Sequence, residues 1–212
     1  MPNLIRLLSA AAGGYFLGTA PSADVASRLV SRGAVDIRSS GSGNPGGTNA
    51  RRVLGGGPGY AVVVADIAKG TAACAWGRRC AGDPGAHVAG VAAVVGHCYP
   101  LWTGFRGGKG IATSFGQCVY TFPVYAPFDF ALAWAVARIP GVRKPALLSV
   151  GVSSGAWVFA SMIWSKRRLP NLWGPRATAA LPIANIATVL VIASRAVALL
   201  RRREPEELAL PR

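Results

Sequence analysis

The chain has 212 residues, 51% hydrophobic and only 15% charged, with a formal net charge of +15 and a mean hydropathy of +0.36. On a soluble chain that charge would suggest nucleic acid. Here the basic residues sit at the ends of apolar segments and no aromatic residues are interleaved with them, a pattern that excludes a nucleic-acid partner and fits the positive-inside bias and contact with anionic lipid. Five stretches without formal charge, residues 7–23, 84–105, 110–128, 145–165 and 177–194, each approach the roughly 17–25 residues a helix needs to cross hydrocarbon. The expectation is an all-α, polytopic membrane helix bundle of about seven transmembrane helices, in one integral membrane domain over residues 1–212 with a short charged tail from residue 201.

The first span runs from about Leu4 past Ala20. Arg6 followed by residues 7–20 imitates a secretory signal, but no clean cleavage site precedes a soluble segment and further spans follow, so the segment is expected to be retained. After Asp24, Arg28, Arg32, Asp36 and Arg38 comes a Gly-rich polar loop, residues 40–55, SGSGNPGGTNARRVLG. Residues 57–77 read as a second span interrupted by Asp66 and Lys69, and residues 84–105 as a third that feeds another Gly-rich basic segment, GHCYPLWTGFRGGKGIAT at 96–113. Pro123 and Pro127 break the next apolar run. Read as one span, residues 110–137 give six spans in all. Read as two they give seven and place both Gly-rich loops and the arginines at 201–203 on one side, with Lys166, Arg167, Arg168 and Arg176 opposite; seven is preferred. Residues 145–165 and 177–200 form the last two spans.

Both loops carry anion-binding residue types. In the first, Ser42, Asn44, Thr48 and Asn49 offer hydroxyl and amide groups, Gly43 and Gly46 allow close backbone approach, and Arg52 brings charge. The Gly-Lys-Ser/Thr of a Walker loop is missing, and a plain juxtamembrane turn is the alternative. In the second, Gly107, Gly108 and Gly110 are expected to expose N–H groups beside Lys109, a point charge suited to phosphate. His97 is a candidate for proton transfer, for donation to a phosphate oxygen, or for capping a helix end. Asp66 and Lys69 share a helix face, which is consistent either with mutual neutralisation or with Asp66 holding a cation of the site. Cys74, Cys80, Cys98 and Cys118 form no C-x-x-C and no His or Cys stands at zinc-ligand spacing, so small buried hydrophobes are expected and no metal.

Together GSGNPGGTNARR at 41–52, D-x-x-KG at 66–70, and GH-x-x-P followed by F-x-GGKG-x-AT at 96–113 resemble the bacterial acyl-phosphate-dependent glycerol-3-phosphate acyltransferases, the PlsY family. The resemblance implies a seven-helix enzyme of the bacterial cell membrane with its active site at the cytoplasmic face. It implies transfer of an acyl chain from acyl phosphate to the sn-1 hydroxyl of glycerol 3-phosphate, without cofactor, metal or acyl-CoA. Ser42, Arg52, His97 and Lys109 match the catalytic positions. Gly43, Asn44, Gly46, Thr48, Asn49, Gly107, Gly108, Gly110, Thr113, Asp66 and Lys69 are the candidate phosphate- or substrate-binding residues beside them, with Arg195 still able to meet a phosphate. The family's third motif, H-x-x-N-x-x-R with a later Glu, is altered: Arg195 and Ala198 replace His and Asn, while Arg201 and Glu207 match. Gly47 stands where Ala is usual. Two other readings fit the same residues, a catalytically lapsed relative that binds phospholipid precursors and a small anion transporter lined by Asp66 and Lys69.

Overall fold

The computed structural model describes residues 3–208, with side chains described through Arg201. Eight α-helices carry the chain: α1 (Leu4–Gly18), α2 (Ser22–Ser31), α3 (Gly47–Leu54), α4 (Gly56–Cys98), α5 (Ile111–Thr121), α6 (Ala126–Val136), α7 (Pro145–Arg167) and α8 (Ala180–Leu208). α4 folds back on itself. Ala81 (φ −140°) and Gly82 (φ 64°) leave helical geometry, and the positive φ at the bend suits a residue without Cβ. Arms of residues 56–80 and 83–98 therefore lie antiparallel. Counting both arms, seven segments are arranged along the bundle, while α2 and α3 are short.

α4 is the hub and packs against α1, α3, α5 and α8; α7 closes the far side against α6 and α8. Glycines set the closest approaches. A Cβ on Gly14 or Gly18 would stand 2.4 or 2.1 Å from the carbonyl oxygens of Ala89 and Ala93, and one on Gly96 would stand 2.2 Å from that of Tyr15. Small residues four apart let helices in lipid touch backbone to backbone, where no hydrophobic force drives them together. Gly18→Leu is expected to push α1 off α4 and to lower the yield and thermal midpoint of detergent-solubilised protein. A wild-type midpoint would show that this contact is dispensable.

Polar groups face inward and apolar ones outward. Asp66, Lys69, His97, Gln117, Thr188 and Arg195 are buried, while Leu8, Val64, Phe128, Phe159 and Leu190 are exposed. That inversion suits a hydrocarbon solvent, in which each buried polar group needs a protein partner. The Thr188 hydroxyl donates to Gln117 Oε1 at 2.8 Å, tying α8 to α5. Residues 145–167 and 180–201 are each long and apolar enough to cross a membrane, with mean hydropathies of 1.7 and 2.1.

α5 and α6 are shorter than the expected spans, about 16 Å each at helical rise. They are separate and antiparallel, as the seven-span reading required. Their turn is closed from below by Asn171, whose amide donates to the carbonyls of Thr121 (2.9 Å) and Pro175 (2.7 Å). Two helices were not anticipated. α2 follows the first span and exposes Val25 and Leu29, an apolar pair one turn apart that fits a helix lying at the membrane interface. α3 occupies the second half of what reads as a loop. Cys74, Cys98 and Cys118 are buried and no cysteine is disulfide-bonded.

Candidate active site

Residues 40–46 form a compact turn that delivers the chain into α3. Asn49 organises it. The Asn49 side-chain oxygen accepts from the Ser42 N–H (2.8 Å), and its NH₂ donates to the carbonyls of Ile37 (3.1 Å) and Ser40 (2.9 Å). Gly43, at φ 66°, donates its N–H to Ser40 O at 3.1 Å. Asn49 and Gly43 therefore shape the loop with groups that were expected to meet an anion. The open donors lie elsewhere, in the first turn of α3, whose N-cap Gly46 supplies no side-chain acceptor. A helix N-terminus leaves such N–H groups without an intrahelical partner and carries partial positive charge. Gly47 is fixed by packing: a Cβ there would lie 2.2 Å from Val63 Cγ2, so the departure from Ala accompanies the bulk of Val63.

The second loop is held from two sides. The Gly107 N–H donates to Cys98 O (3.1 Å) and the Gly108 N–H to His97 O (3.0 Å). These two donors are consumed internally and are not offered to a ligand, contrary to the sequence expectation. From behind, Arg195, 3% exposed, donates from Nε to Gly108 O (3.3 Å) and from Nη2 to Gly107 O (2.6 Å). Arg195 lines neither cavity described below and acts as a brace for the loop. A Cβ on Gly108 would fall 2.1 Å from His97 Nε2, so glycine at 108 is what lets the loop lie over the imidazole.

Asp66, 3% exposed, joins three elements. Its Oδ1 accepts from the Ser22 hydroxyl at 2.9 Å, pairs with Lys69 Nζ at 2.8 Å and lies 3.7 Å from His97 Nδ1. Lys69 also donates to Ala20 O at 3.0 Å. The neutralisation reading of this pair is met, since Asp66 pairs with Lys69; its carboxylate holds no other cation of the site and faces His97 instead. Arg38 was not anticipated. Its guanidinium forks onto Asp24 (2.6 and 2.8 Å) and also donates to Arg106 O, fastening the segment before the first loop to α2 and to the second loop.

These parts enclose a cavity of about 560 Å³. One side is lined by Ser42, Asn44, Gly46, Thr48, Arg52, Asp66, His97, Lys109 and Gly110, and the other by residues of α5, α6, α7 and α8. Arg52, in the last turn of α3, and Lys109, on the second loop, both line this cavity. Both are exposed and neither makes a hydrogen bond or ion pair with the described residues. A second recess of about 20 Å³, with room for little more than water, adjoins it and is lined by Lys69, Gly107 and Gly108 together with Asp66 and His97. Thr113 faces Gly70 on α4, is fully buried, and lines neither space; its placement does not suit ligand contact. The small residues at 90–96 serve close packing: Gly90 abuts Cys74 and Gln117, and Gly96 abuts Tyr15. The Glu207 side chain lies outside the described residues. Among the described residues no three of His, Cys, Asp or Glu gather closely enough to hold a metal ion.

Residues 8–204 match the family model described as glycerol-3-phosphate acyltransferase. A glycerol-3-phosphate acyltransferase of a Synechococcus species is 40% identical over 137 residues, 65% of this chain and 61% of the relative's own length. Glycerol-3-phosphate acyltransferase 1 of Dehalococcoides mccartyi is 45% identical over 156 residues, covering 71% and 73% of the two chains. Among solved structures, PlsY, an integral membrane glycerol 3-phosphate acyltransferase, superimposes in its glycerol 3-phosphate form with a TM-score of 0.73 at 26% identity, and in its lysophosphatidic acid form at 0.74 and 25%. Each covers 94% of this chain and 92% of the other. The chain therefore belongs to the glycerol-3-phosphate acyltransferase family and has that family's all-helical integral membrane fold.

Proposed function

We propose that this protein transfers an acyl group from an acyl phosphate to the sn-1 hydroxyl of glycerol 3-phosphate, giving lysophosphatidic acid and inorganic phosphate for phospholipid synthesis. The observation that carries the reading is one cavity with two characters. One side combines a helix N-terminus with two unpaired cations, and the other opens among the helices that would face lipid. PlsY is known in forms with glycerol 3-phosphate and with lysophosphatidic acid, which supports the same acceptor and product here.

Acyl phosphate is already activated, so the protein chiefly has to bring two anions together and orient a hydroxyl. Arg52, Lys109 and the α3 N-terminus offset the mutual repulsion of the phosphates. The hydroxyl oxygen attacks the acyl carbon, the bond from that carbon to the phosphate oxygen breaks, and the hydroxyl proton passes to the departing phosphate. His97, steadied by Asp66, donates to a phosphate oxygen at the cavity wall. Arg195, in place of the family's third-motif histidine, holds the second loop, which carries Lys109, by its bonds to Gly107 and Gly108; this supports an active enzyme over a lapsed relative.

Orientation follows from charge. The end bearing both loops carries Arg28, Arg32, Arg38, Arg51, Arg52 and Lys109 among others, more than the opposite end with Arg6, Arg78, Arg79 and the group at 166–168 and 176, and the positive-inside bias supports a site at the cytoplasmic face of the bacterial membrane. The test is purified protein in proteoliposomes with glycerol 3-phosphate and either acyl phosphate or acyl-CoA. Lysophosphatidate from acyl phosphate alone is expected. Product from acyl-CoA alone would reassign the donor, binding without product would mark a lapsed relative, and glycerol phosphate flux without product would mark a carrier.

A further inference from the structure

The helical side of the cavity is not the apolar sleeve that a simple alkyl chain calls for. Asp129 of α6 and Ser153 and Ser154 of α7 stand in its wall among Phe115, Phe130 and Trp157. Register brings the polar three together. The Ser149 hydroxyl donates to Ala133 O at 2.7 Å, so on these antiparallel helices Asp129 lies one turn below Ala133, level with Ser153. That level is about 12 Å along α7 from its start at Pro145.

The Asp129 carboxyl is half-buried and makes no hydrogen bond or ion pair with the described residues. The nearest basic residue along the chain, Arg138 just beyond α6, is stacked on the Trp134 ring at 3.7 Å. The Ser153 hydroxyl reaches only Val150 O at 3.5 Å. A carboxyl at membrane depth is costly and usually marks a polar ligand or pathway, and an unbranched hydrocarbon chain would leave it without a partner. A hydroxyl is the least costly group that a chain can carry into hydrocarbon and still donate to a carboxyl and accept from a serine.

We propose that Asp129, with Ser154, is a specificity-determining residue that selects an acyl donor carrying a hydroxyl group partway along its chain. This rests on the acyl-transfer reading above and adds the class of donor.

The experiment compares palmitoyl phosphate with hydroxypalmitoyl phosphates bearing the hydroxyl at successive positions, as kcat/KM for lysophosphatidate formation. Binding of the corresponding non-transferable acyl phosphonates is measured alongside. For wild type, one hydroxyl position is expected to be favoured about tenfold, the value of one good hydrogen bond to a charged group. Asp129→Leu is expected to abolish that preference, so that hydroxylated and plain donors are used with equal kcat/KM; Asp129→Asn, which keeps an acceptor, retains part of it. Equal kcat/KM at every position in wild type overturns the proposal whatever the variants do. No product from any donor, with the phosphonate preference intact, overturns the acyl-transfer reading and leaves the Asp129 assignment standing.

Discussion

Replacing Arg52 or Lys109 by alanine is expected to lower lysophosphatidate formation about 10²–10³-fold, the usual loss when one preorganised charge-stabilising group is removed. Stability should move by no more than about 0.5 kcal/mol, because both side chains are exposed and neither contacts another described side chain through a hydrogen bond or ion pair. The two effects should not add. Each cation offsets the repulsion of the same pair of phosphates, so the double variant is expected to fall little below the worse single one. Lys109→Arg keeps the charge but replaces a compact point charge with a planar fork, and partial activity is the expected result. Initial rates in proteoliposomes with matched amounts of inserted protein decide the matter. If both alanine variants turn over at wild-type rates, the phosphates bind elsewhere.

Much of this arrangement is visible in the residue order, and the parts that are not share a physical reason. The charge-free stretches mark the spans because hydrocarbon tolerates few charges. The two glycine-rich segments mark the site because both lie where long apolar helices end at one face. What the residue types leave undetermined is which hydrogen-bonding groups remain available. Gly107, Gly108, Gly43 and Asn49 look like ligand-binding groups, yet their donors are used by carbonyls brought close only by the fold. Glycine at 108 is required by the imidazole above it, not by an anion. The first turn of α3, which does offer free donors, reads as loop because Gly46 and Gly47 weaken any local helix signal. Arg195 is legible as a departure from the family pattern, but its target in the second loop, 87 residues away along the chain, is set by α8 packing. Asp129 passes unnoticed as the end of a charge-free run, since only the register of α6 on α7 brings serines to its level.

Asp66 combines a structural and a chemical duty, and a pair of variants separates them. Asp66→Asn leaves the Lys69 ammonium, 9% exposed, with Ala20 O as its remaining partner. Breaking a buried ion pair by removing one partner costs roughly 3–5 kcal/mol, enough to depress the thermal midpoint and the yield of inserted protein. The variant also loses the carboxylate that faces His97 Nδ1 at 3.7 Å. Adding Lys69→Met removes the stranded charge, and replacing both partners of a buried pair by groups of similar volume is often close to neutral for stability. The double variant is therefore expected to regain most of its midpoint while its rate stays low, since the imidazole is still without the group that steadies it. Recovery of both midpoint and rate would make the pair purely structural. Failure to recover the midpoint would mean that the Ser22 hydroxyl and the α2 start depend on Asp66 more than Lys69 does. Thermal unfolding in detergent and lysophosphatidate formation, measured on the same preparations, distinguish the three outcomes.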